Sequence, residues 1–386
     1  MAGKKKTKEV AVATELLSSI TLNAILFKDM VARARKVATS SFTTPLSEMM
    51  GIELKDNKLT ITTTDSVNYL FVTQDKVEGD DFYVTVYAEQ FAQFISKMTC
   101  DKITLELYTN GLKVVGNGEY TFELPDDEGE IIKFPDPRND VELEPIGEIK
   151  LSTINNIIDT AKASLAVTLE EPCYVNYYCG DKVITTDRDK MCGLDLKLWD
   201  APRLIPQELM NMIALMTAED IKVSAADDII MFSTPDCVVY GRSAEGIEDY
   251  PAEDVDSLLS KEFPSNCKLK KSDLLQLLDR LSLFVTKTDK DVIYLTFTKD
   301  GLQITSKKAT GVEVVPYIES TNFNDFTCAI DIKMLQSEVK SLAGDSVYVE
   351  YGPIPNADGD LVPVAIKFVE GNATIVVALT EDDRVA

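Results

Sequence analysis

The sequence predicts an α+β fold built from three copies of one domain of roughly 120 residues. Two observations lead to this prediction: two amphipathic helix patterns recur three times in the same order, and β-rich segments lie between them in each copy. The chain has 386 residues, of which 45% are hydrophobic. A chain of this length exceeds what one compact core usually serves, which also favours two or three domains.

The first helix of each copy has apolar residues at positions i, i+3, i+4 and i+7. This spacing places them on one helix face, which is then predicted to pack on a core. The three stripes are Phe27, Met30, Val31, Ala34 and Ala38 in the first copy; Ile154, Ile157, Ile158, Ala161 and Leu165 in the second; and Leu274, Leu277, Leu278, Leu281 and Val285 in the third.

The second helix of each copy leads into a strand. Its apolar stripes begin at Phe91, Leu209 and Leu335, and Glu338 interrupts the third one. A strand is predicted to begin five residues after each stripe ends, and an acidic residue lies two positions before that strand. The predicted strands begin at Ile103, Ile221 and Val347.

The segments "NKLTITTTD", "DKVITTDRD" and "DGLQITSKK" are further predicted strands, each entered through a polar turn. Two acidic joints, "IKFPDPRNDVELEPIGEIK" and "IEDYPAEDVDSLLSKEFPSN", contain prolines and lack helical periodicity. They place the domain boundaries. The predicted organisation is a disordered basic tail over 1–15, domains over 16–137, 138–256 and 257–380, and an acidic tail over 381–386.

Composition argues against several classes of protein. The chain has no histidine, which removes Ser-His-Asp catalysis and histidine-based zinc sites. Its seven cysteines are odd in number and show no CxxC spacing, so we expect reduced thiols in a cytoplasm and no metal site. Neither GxxxxGK[ST] nor GxGxxG occurs. We therefore expect no enzymatic activity and no cofactor.

Charge and hydropathy limit the partners. A formal net charge of -25 repels nucleic acid over long range, so contact with DNA would require a local basic surface. No apolar run reaches the ~18 residues that span a bilayer, and no signal peptide is recognisable. We therefore expect no membrane association.

Four passages resemble the family of the bacterial DNA polymerase III β subunit, the sliding clamp. They are "TTPLSEMMGIELKDNKLTITTTD", "VITTDRDKM", "CKLKKSDLLQLLDRLSLFVTKTDKDVIYLTFTKDGLQITS" and "AIDIKMLQSEVKSLAGDSVYVEY". Their order extends the resemblance from about Ile20 to Leu379. A phage-encoded member of the family would fit the divergence of the sequence.

The resemblance implies a head-to-tail homodimeric ring in which helices line a central hole and sheets lie outside. Such a ring encircles double-stranded DNA without sequence preference and tethers the replicative DNA polymerase. A clamp loader opens it, and it catalyses no reaction. It would act in the bacterial cytoplasm or nucleoid, or in the host cytoplasm if phage-encoded. Phe94, Ile95 and Met98 of one protomer would face the helix 274–281 of the next.

The helices assigned to the hole carry basic residues away from their apolar stripes. Some of these would face duplex phosphates, and a solvated helix surface is the alternative for each one. The clustered Arg35, Lys36, Lys270 and Lys271 are the favoured candidates. The full set is Lys28, Arg33, Arg35, Lys36, Lys97, Lys162, Lys268, Lys270, Lys271, Arg280, Lys333 and Lys340.

In this family, partner proteins insert a short peptide similar to Gln-Leu-x-Leu-Phe into an apolar cleft between domains two and three. Ile375 and Val377 could instead belong to an ordinary core strand. Arg188 and Asp189 replace the family's glycine-histidine pair, so the peptide preference should differ. The positions that match the cleft are Leu169, Thr186, Asp187, Arg188, Lys190, Met191, Ile375, Val377 and Leu379.

Two other classes of protein remain as alternatives. One is a non-enzymatic structural or assembly protein made of three β-rich repeats. The other is a hydrolase that uses a carboxylate pair such as Asp187 and Asp189, although solvated turn carboxylates explain these residues more simply.

Overall fold

The computed structural model describes residues 15–38, 44–127, 130–168, 172–284, 292–306, 312–356 and 358–382. In chain order the helices are α1 (Ala24–Arg35), α2 (Ala88–Lys97), α3 (Leu151–Ala161), α4 (Gln207–Ile213), α5 (Ala252–Leu259), α6 (Lys271–Ser282) and α7 (Ile332–Ser341).

The strands are β1 (Leu16–Asn23), β2 (Met49–Lys55), β3 (Lys58–Thr64), β4 (Tyr69–Asp75), β5 (Phe82–Tyr87), β6 (Lys102–Tyr108), β7 (Gly111–Val115), β8 (Glu119–Phe122), β9 (Asp126–Asp127), β10 (Glu130–Ile131), β11 (Glu144–Lys150), β12 (Asn176–Cys179), β13 (Val183–Thr186), β14 (Lys190–Leu194), β15 (Arg203–Pro206), β16 (Asp220–Ala226), β17 (Ile229–Ser233), β18 (Cys237–Arg242), β19 (Ser265–Lys270), β20 (Val292–Thr298), β21 (Gly301–Ser306), β22 (Glu313–Val315), β23 (Tyr317–Thr321), β24 (Phe326–Asp331), β25 (Ser346–Tyr351), β26 (Ile354–Pro355), β27 (Leu361–Val362), β28 (Ala365–Glu370) and β29 (Ala373–Ala378).

The six predicted helices are confirmed as α1, α2, α3, α4, α6 and α7, and most residues of their apolar stripes are buried. The three predicted strands after the second helices are β6, β16 and β25, each beginning one residue earlier than predicted. Side-chain caps fix two of the helix starts. Asn23 Oδ1 accepts the N–H of Ile25 at 3.0 Å, and Asp331 Oδ1 accepts the N–H of Lys333 at 2.7 Å.

Helix α5 lies in a joint for which we predicted no helix. Val255 and Leu259, spaced i and i+4, are buried and form its only apolar stripe. Glu253 and Asp254 in its first turn complement the positive end of the helix dipole. A stripe of two residues after Pro251 is too short to stand out from the sequence, so this part of the prediction was wrong.

One compact unit comprises the described residues between 15 and 148 together with residues 215–242. Its larger sheet has the strand order β11-β16-β17-β18-β4-β3-β2-β5, and a second sheet has the order β1-β6-β7-β8. The antiparallel pair β18–β4, with Cys237 opposite Val72, joins strands from the first two predicted domains. Helices α1 and α2 pack together in its core, where the rings of Phe27 and Phe91 meet edge to face at 6.2 Å.

The other compact unit comprises residues 149–214 and 243–386. Its main sheet has nine strands in the order β15-β12-β13-β14-β29-β28-β25-β19-β23, and a smaller sheet has the order β22-β21-β20-β24. The antiparallel pair β14–β29 joins strands of the second and third predicted domains. The middle domain therefore contributes strands to both units. The predicted ranges of the three domains follow the sequence repeat, and they remain a prediction.

All seven cysteines are free thiols, and Cys100 and Cys173 are the two that are not fully buried. No helix in the described part of the chain combines the length and the apolar character that crossing a membrane requires.

Candidate functional site

The turn between β13 and β14, with the strand residues that flank it, contains five of the predicted cleft positions. We call this segment the Thr186–Met191 turn, and its own side chains fix its shape. Asp187 Oδ1 accepts the N–H groups of Asp189 at 3.1 Å and Lys190 at 2.9 Å. Thr186 Oγ1 accepts the N–H of Arg188 at 3.0 Å and donates to the Lys190 carbonyl at 3.0 Å. Arg188 has a φ of 81°, in the left-handed region. Asp187 thus has the structural role of a turn residue.

An apolar cluster lies beside this turn on one face of the nine-stranded sheet. Met191 of β14 stands directly opposite Val376 of β29, and helix α5 packs against both strands. The buried members of the cluster are Ile184, Met191, Leu204, Tyr250, Val255, Leu259, Ala365 and Val376; partly buried Cys173, Tyr174, Tyr178, Ala244, Ile247, Ala252 and Phe263 pack against them.

Three tyrosines give the apolar cluster its aromatic part. The Tyr250 ring stacks on Tyr178 at 5.3 Å and meets Tyr174 edge to face at 6.0 Å. The Tyr250 hydroxyl donates to the Ile184 carbonyl at 3.1 Å, which satisfies its buried oxygen. The Arg188 guanidinium lies 5.5 Å from the centre of the Tyr174 ring, so a cation borders the cluster on the side of the turn.

Two of the predicted cleft residues require correction. Ile375 and Val377 are completely buried, and strand alternation places them on the face of β29 opposite Val376. Val376 is buried as well (4% exposed), but of the three it is the one that packs in the apolar cluster, and it was not predicted. The sequence contained the signal, since alternation makes only one set of "TIVVALT" face the cluster. Lys190 is also buried and points away from Met191.

Leu379 is half-buried just beyond β29, and its N–H donates to the Val364 carbonyl at 2.9 Å. Leu169 lies outside the described residues. Tyr174, Tyr178 and Tyr250 were not predicted, because nothing in their local sequence separates an aromatic residue of this cluster from one in the core.

Carboxylates hold many of the basic residues predicted to face DNA. Arg35 makes a two-pronged contact with Glu89 at 2.7 and 2.6 Å, and the hydrogen bond lowers the pKa of Glu89. Arg280 binds Glu313 in the same way and lowers its pKa. Further ion pairs join Arg33 to Asp29 and Asp236 (both 3.0 Å), Lys268 to Glu319 (3.9 Å), Lys270 to Asp273 (3.2 Å) and Lys340 to Asp279 (3.6 Å).

Two more lysines bind backbone carbonyls at helix ends. Lys28 donates to the Met98 carbonyl and Lys271 to that of Leu342. Lys268 lies on strand β19, shortly before helix α6, with its ammonium over the Tyr348 ring. Lys333 is exposed on α7.

Lys36, Lys97 and Lys162 are exposed at the C-terminal ends of α1, α2 and α3. Among the described residues none of the three makes an ion pair. They are therefore the predicted residues whose charge remains most available to an anion.

The described residues contain no group of three or more Cys, Asp or Glu side chains arranged to hold a metal ion. No protein-family model matches the chain. In sequence it is similar to the beta sliding clamps of two Staphylococcus epidermidis strains, with 21% identity over 361 residues that cover 87% of this chain and 93% of the relatives.

Solved structures match over nearly the whole chain. The beta subunit from the DNA polymerase of Streptococcus pyogenes superposes with a TM-score of 0.80 at 16% identity, covering 94% of this chain and 100% of that one. The DNA polymerase sliding clamp from Bacillus subtilis gives a TM-score of 0.79 at 15% identity, covering 95% and 99%. The chain has the sliding-clamp fold. The family resemblance and the α+β fold predicted from the sequence are thereby confirmed.

The predicted partner site and the predicted DNA-facing residues differ in how far the fold brings their members together. The Thr186–Met191 turn and the apolar cluster lie in one compact unit, and their role as a partner site stays a prediction. The basic residues do not form one uniform surface, because most of them already have a carboxylate or carbonyl partner. The assignment of individual DNA-facing residues stays a prediction.

Proposed function

We propose that the protein is a DNA sliding clamp, a homodimeric ring that encircles double-stranded DNA and tethers the replicative DNA polymerase. The observation that carries the proposal is the match to clamp structures over 94–95% of the chain. A clamp loader opens the ring, and the protein catalyses no reaction of its own. Its place of action is the cytoplasm or nucleoid, or the host cytoplasm for a phage-encoded chain.

The strongly acidic composition fits a topological link better than ordinary DNA binding. A formal charge of -25 repels a polyanion over long range. A closed ring remains on DNA without strong attraction, because it can leave only by opening or by sliding off an end. Weak contacts from a few lysines are then sufficient to position the duplex.

The Thr186–Met191 turn and the apolar cluster form the proposed partner site. The eight central members of the cluster are buried, so a partner would contact the partly buried residues that cover them, among them Tyr174, Tyr178 and Phe263. An aromatic rim of this kind beside a polar turn suits the apolar anchors of a short linear peptide. The family peptide Gln-Leu-x-Leu-Phe supplies such anchors. The replicative polymerase and the clamp loader would use this site in turn.

Ring closure requires a surface that pairs with a second copy, and two edge strands are suited to this. Within the described part of the chain, β8 and β22 each have a strand partner on one side only. Each edge carries an exposed apolar side chain, Tyr120 (48% exposed) and Val314 (45% exposed). An unpaired edge of this kind is a template for pairing with another chain. We assign β8 of one protomer and β22 of its partner to the dimer interface.

The interface expected from the resemblance is revised accordingly. Ile95 and Met98 are buried, as are the four leucines of the α6 stripe, so neither set is available to a partner. Phe94 is half-buried and packs against Tyr120 at 4.8 Å, which places it behind the β8 edge.

The dimer is tested by small-angle X-ray scattering over a concentration series. We expect twice the chain mass and a hollow distance distribution for the natural protein. Val314→Asp places a charge on the proposed edge and should shift the mass toward the monomer. Val67→Asp, which changes a somewhat more exposed valine in the β3–β4 turn, should remain dimeric. A compact monomer at every concentration, with no effect of either change, contradicts ring closure.

Topological binding is tested with DNA of two shapes. The protein is loaded by a clamp loader onto a nicked circular duplex and separated from free protein by gel filtration in high salt. We expect it to elute with the circular DNA and to be lost after one restriction cut makes the DNA linear. Equal retention on both shapes would indicate ordinary binding and contradict the proposed function. A protein of the structural or assembly class would be retained on neither.

A further inference from the structure

Lys190 is a lysine inside the nine-stranded sheet, only 8% exposed. It is the first residue of β14 and closes the Thr186–Met191 turn. Its ammonium lies 3.0 Å from Asp187 Oδ2 and donates to the carbonyl of Ala163, in the 3-10 turn Lys162–Ser164 that follows α3. The turn is therefore anchored on the face of the sheet opposite the apolar cluster.

Glu338 of α7 completes this anchor from the third repeat. It is completely buried, although its place in the apolar stripe would ordinarily be taken by an aliphatic residue. Its Oε2 accepts the Ser164 hydroxyl at 2.9 Å, and its Oε1 lies 3.7 Å from Lys190 Nζ. One carboxylate thus contacts Lys190, which anchors the turn, and Ser164, which follows the residue whose carbonyl Lys190 binds.

Burial of the Glu338 carboxylate alone would lower the stability of the fold. A buried charge costs free energy unless it is paired and hydrogen-bonded, and an apolar residue of similar volume often packs equally well. Departures from the apolar pattern of a core tend to coincide with functional positions. Here the departure connects a helix of the third repeat to the turn that borders the proposed partner site.

We propose that Glu338 is a positioning residue for the partner site: it holds Lys190 from helix α7 and thereby fixes the Thr186–Met191 turn. The consequence for partner binding rests on the proposed function of that turn. The positioning itself is a property of the folded chain and can be measured without any partner.

The charges around Glu338 give the interaction a pH dependence. Burial raises the pKa of Glu338 to about 7, Lys190 and the Ser164 hydrogen bond oppose this rise, and Asp187 adds to it. The other titratable group that faces it is the Cys192 thiol, whose pKa burial and Glu338 both raise. As pH rises through about 7 the carboxylate ionises and attracts Lys190, so the turn should become more firmly held.

Rising pH should make the turn more firmly held, but it should lower the contribution of Glu338 to the free energy of unfolding of the whole chain. Its folded pKa lies above the ordinary value of 4.5, so the folded state binds the proton more tightly than the unfolded state. Its stabilising contribution is complete below about pH 4.5 and is lost as pH rises through about 7. A tighter turn at high pH therefore cannot be a by-product of a more stable fold.

The test compares Glu338→Gln with the natural protein at pH 6 and pH 8. Amide hydrogen exchange of residues 186–191 is measured by mass spectrometry and corrected for intrinsic rates, and melting temperatures show that the variant is folded. In the natural protein we expect slower exchange at pH 8 than at pH 6. In the variant we expect fast exchange at both, about tenfold above the natural protein at pH 8.

The matched control is Glu350→Gln. Glu350 lies 3.0 Å from the ammonium of Lys367, a second buried lysine of the same sheet, and that pair does not touch the turn. Exchange at residues 186–191 should be the same in this variant as in the natural protein. If exchange there is unchanged in Glu338→Gln as well, the positioning role is wrong.

Titration with the peptide Gln-Leu-Ser-Leu-Phe then separates the positioning role from the proposed function. We expect the natural protein to bind the peptide more tightly at pH 8, and Glu338→Gln to bind about tenfold more weakly there with no pH dependence. If the natural protein does not bind the peptide while its turn still responds to Glu338, the positioning role is upheld and the partner-site assignment fails.

Discussion

Changing Lys36, Lys97 and Lys162 together to glutamate is expected to remove most of the loading of this protein onto circular DNA while leaving the dimer intact. These lysines are exposed and have no ion pair among the described residues, so their charge is available to phosphates. Each phosphate contact contributes about 0.9 to the slope of log affinity against log salt concentration. The dependence of log affinity on log salt concentration should therefore become less steep, by up to about three, when all three lysines are changed.

The control for this variant has the same change in net charge. Lys55, Lys58 and Lys76 are exposed at the β2–β3 hairpin and just after β4, in none of the helices, and their change to glutamate should leave loading unaltered. Arg35→Glu should have a smaller effect on DNA than Lys36→Glu, because Glu89 already neutralises Arg35. Equal losses in the two triple variants would mean that net charge alone controls loading.

Placing a carboxylate in the partner site should abolish peptide binding. Met191→Asp buries a charge in the apolar cluster, and Leu379→Asp puts one at a half-buried position beyond β29. Loss of a central anchor in such a site costs about 2 kcal/mol or more, equivalent to at least about 30-fold in affinity. Calorimetric titration with Gln-Leu-Ser-Leu-Phe measures this loss.

The two variants differ in their effect on the fold. Met191→Asp should also lower the melting temperature, since an unpaired buried carboxylate costs several kcal/mol. Leu379→Asp should melt near the natural protein and so reports binding alone. Ile318→Asp, on the exposed edge strand β23 of the same sheet, is the control and should bind normally. Normal titration of both site variants would place the partner site elsewhere.

The sequence predicted the elements of the fold well because its signals are local. Six helices followed from stripes of three to five apolar residues, and the strands followed from short alternating runs. Helix α5 was missed because two residues, Val255 and Leu259, make its whole stripe. The family resemblance supplied the arrangement of the elements, which no local pattern contains.

The candidate surfaces were less predictable because they depend on residues distant in the chain. Arg33 looks like a free cation in its helix, but Asp236 and Asp29 hold it, and Asp236 is 203 positions away. The partners of Glu338 are likewise invisible in its local sequence, since Ser164 and Lys190 belong to another repeat. Residue type and helical position establish that a charge exists, and only the folded chain shows whether it is already neutralised.

The shared sheets have a consequence for the order of events during synthesis. Strands β16–β18 extend a sheet whose other strands, β2–β5 and β11, leave the ribosome first, so they can pair as soon as they emerge. Strand β14 must wait for β29, nearly 180 residues later, before its second edge is paired. Until then the nascent chain presents an open apolar edge that includes Met191. The proposed partner site is thus among the last parts of the fold to be completed. A chain that stalls before β29 is synthesised would leave the apolar edge of β14 unpaired, and such an edge promotes aggregation.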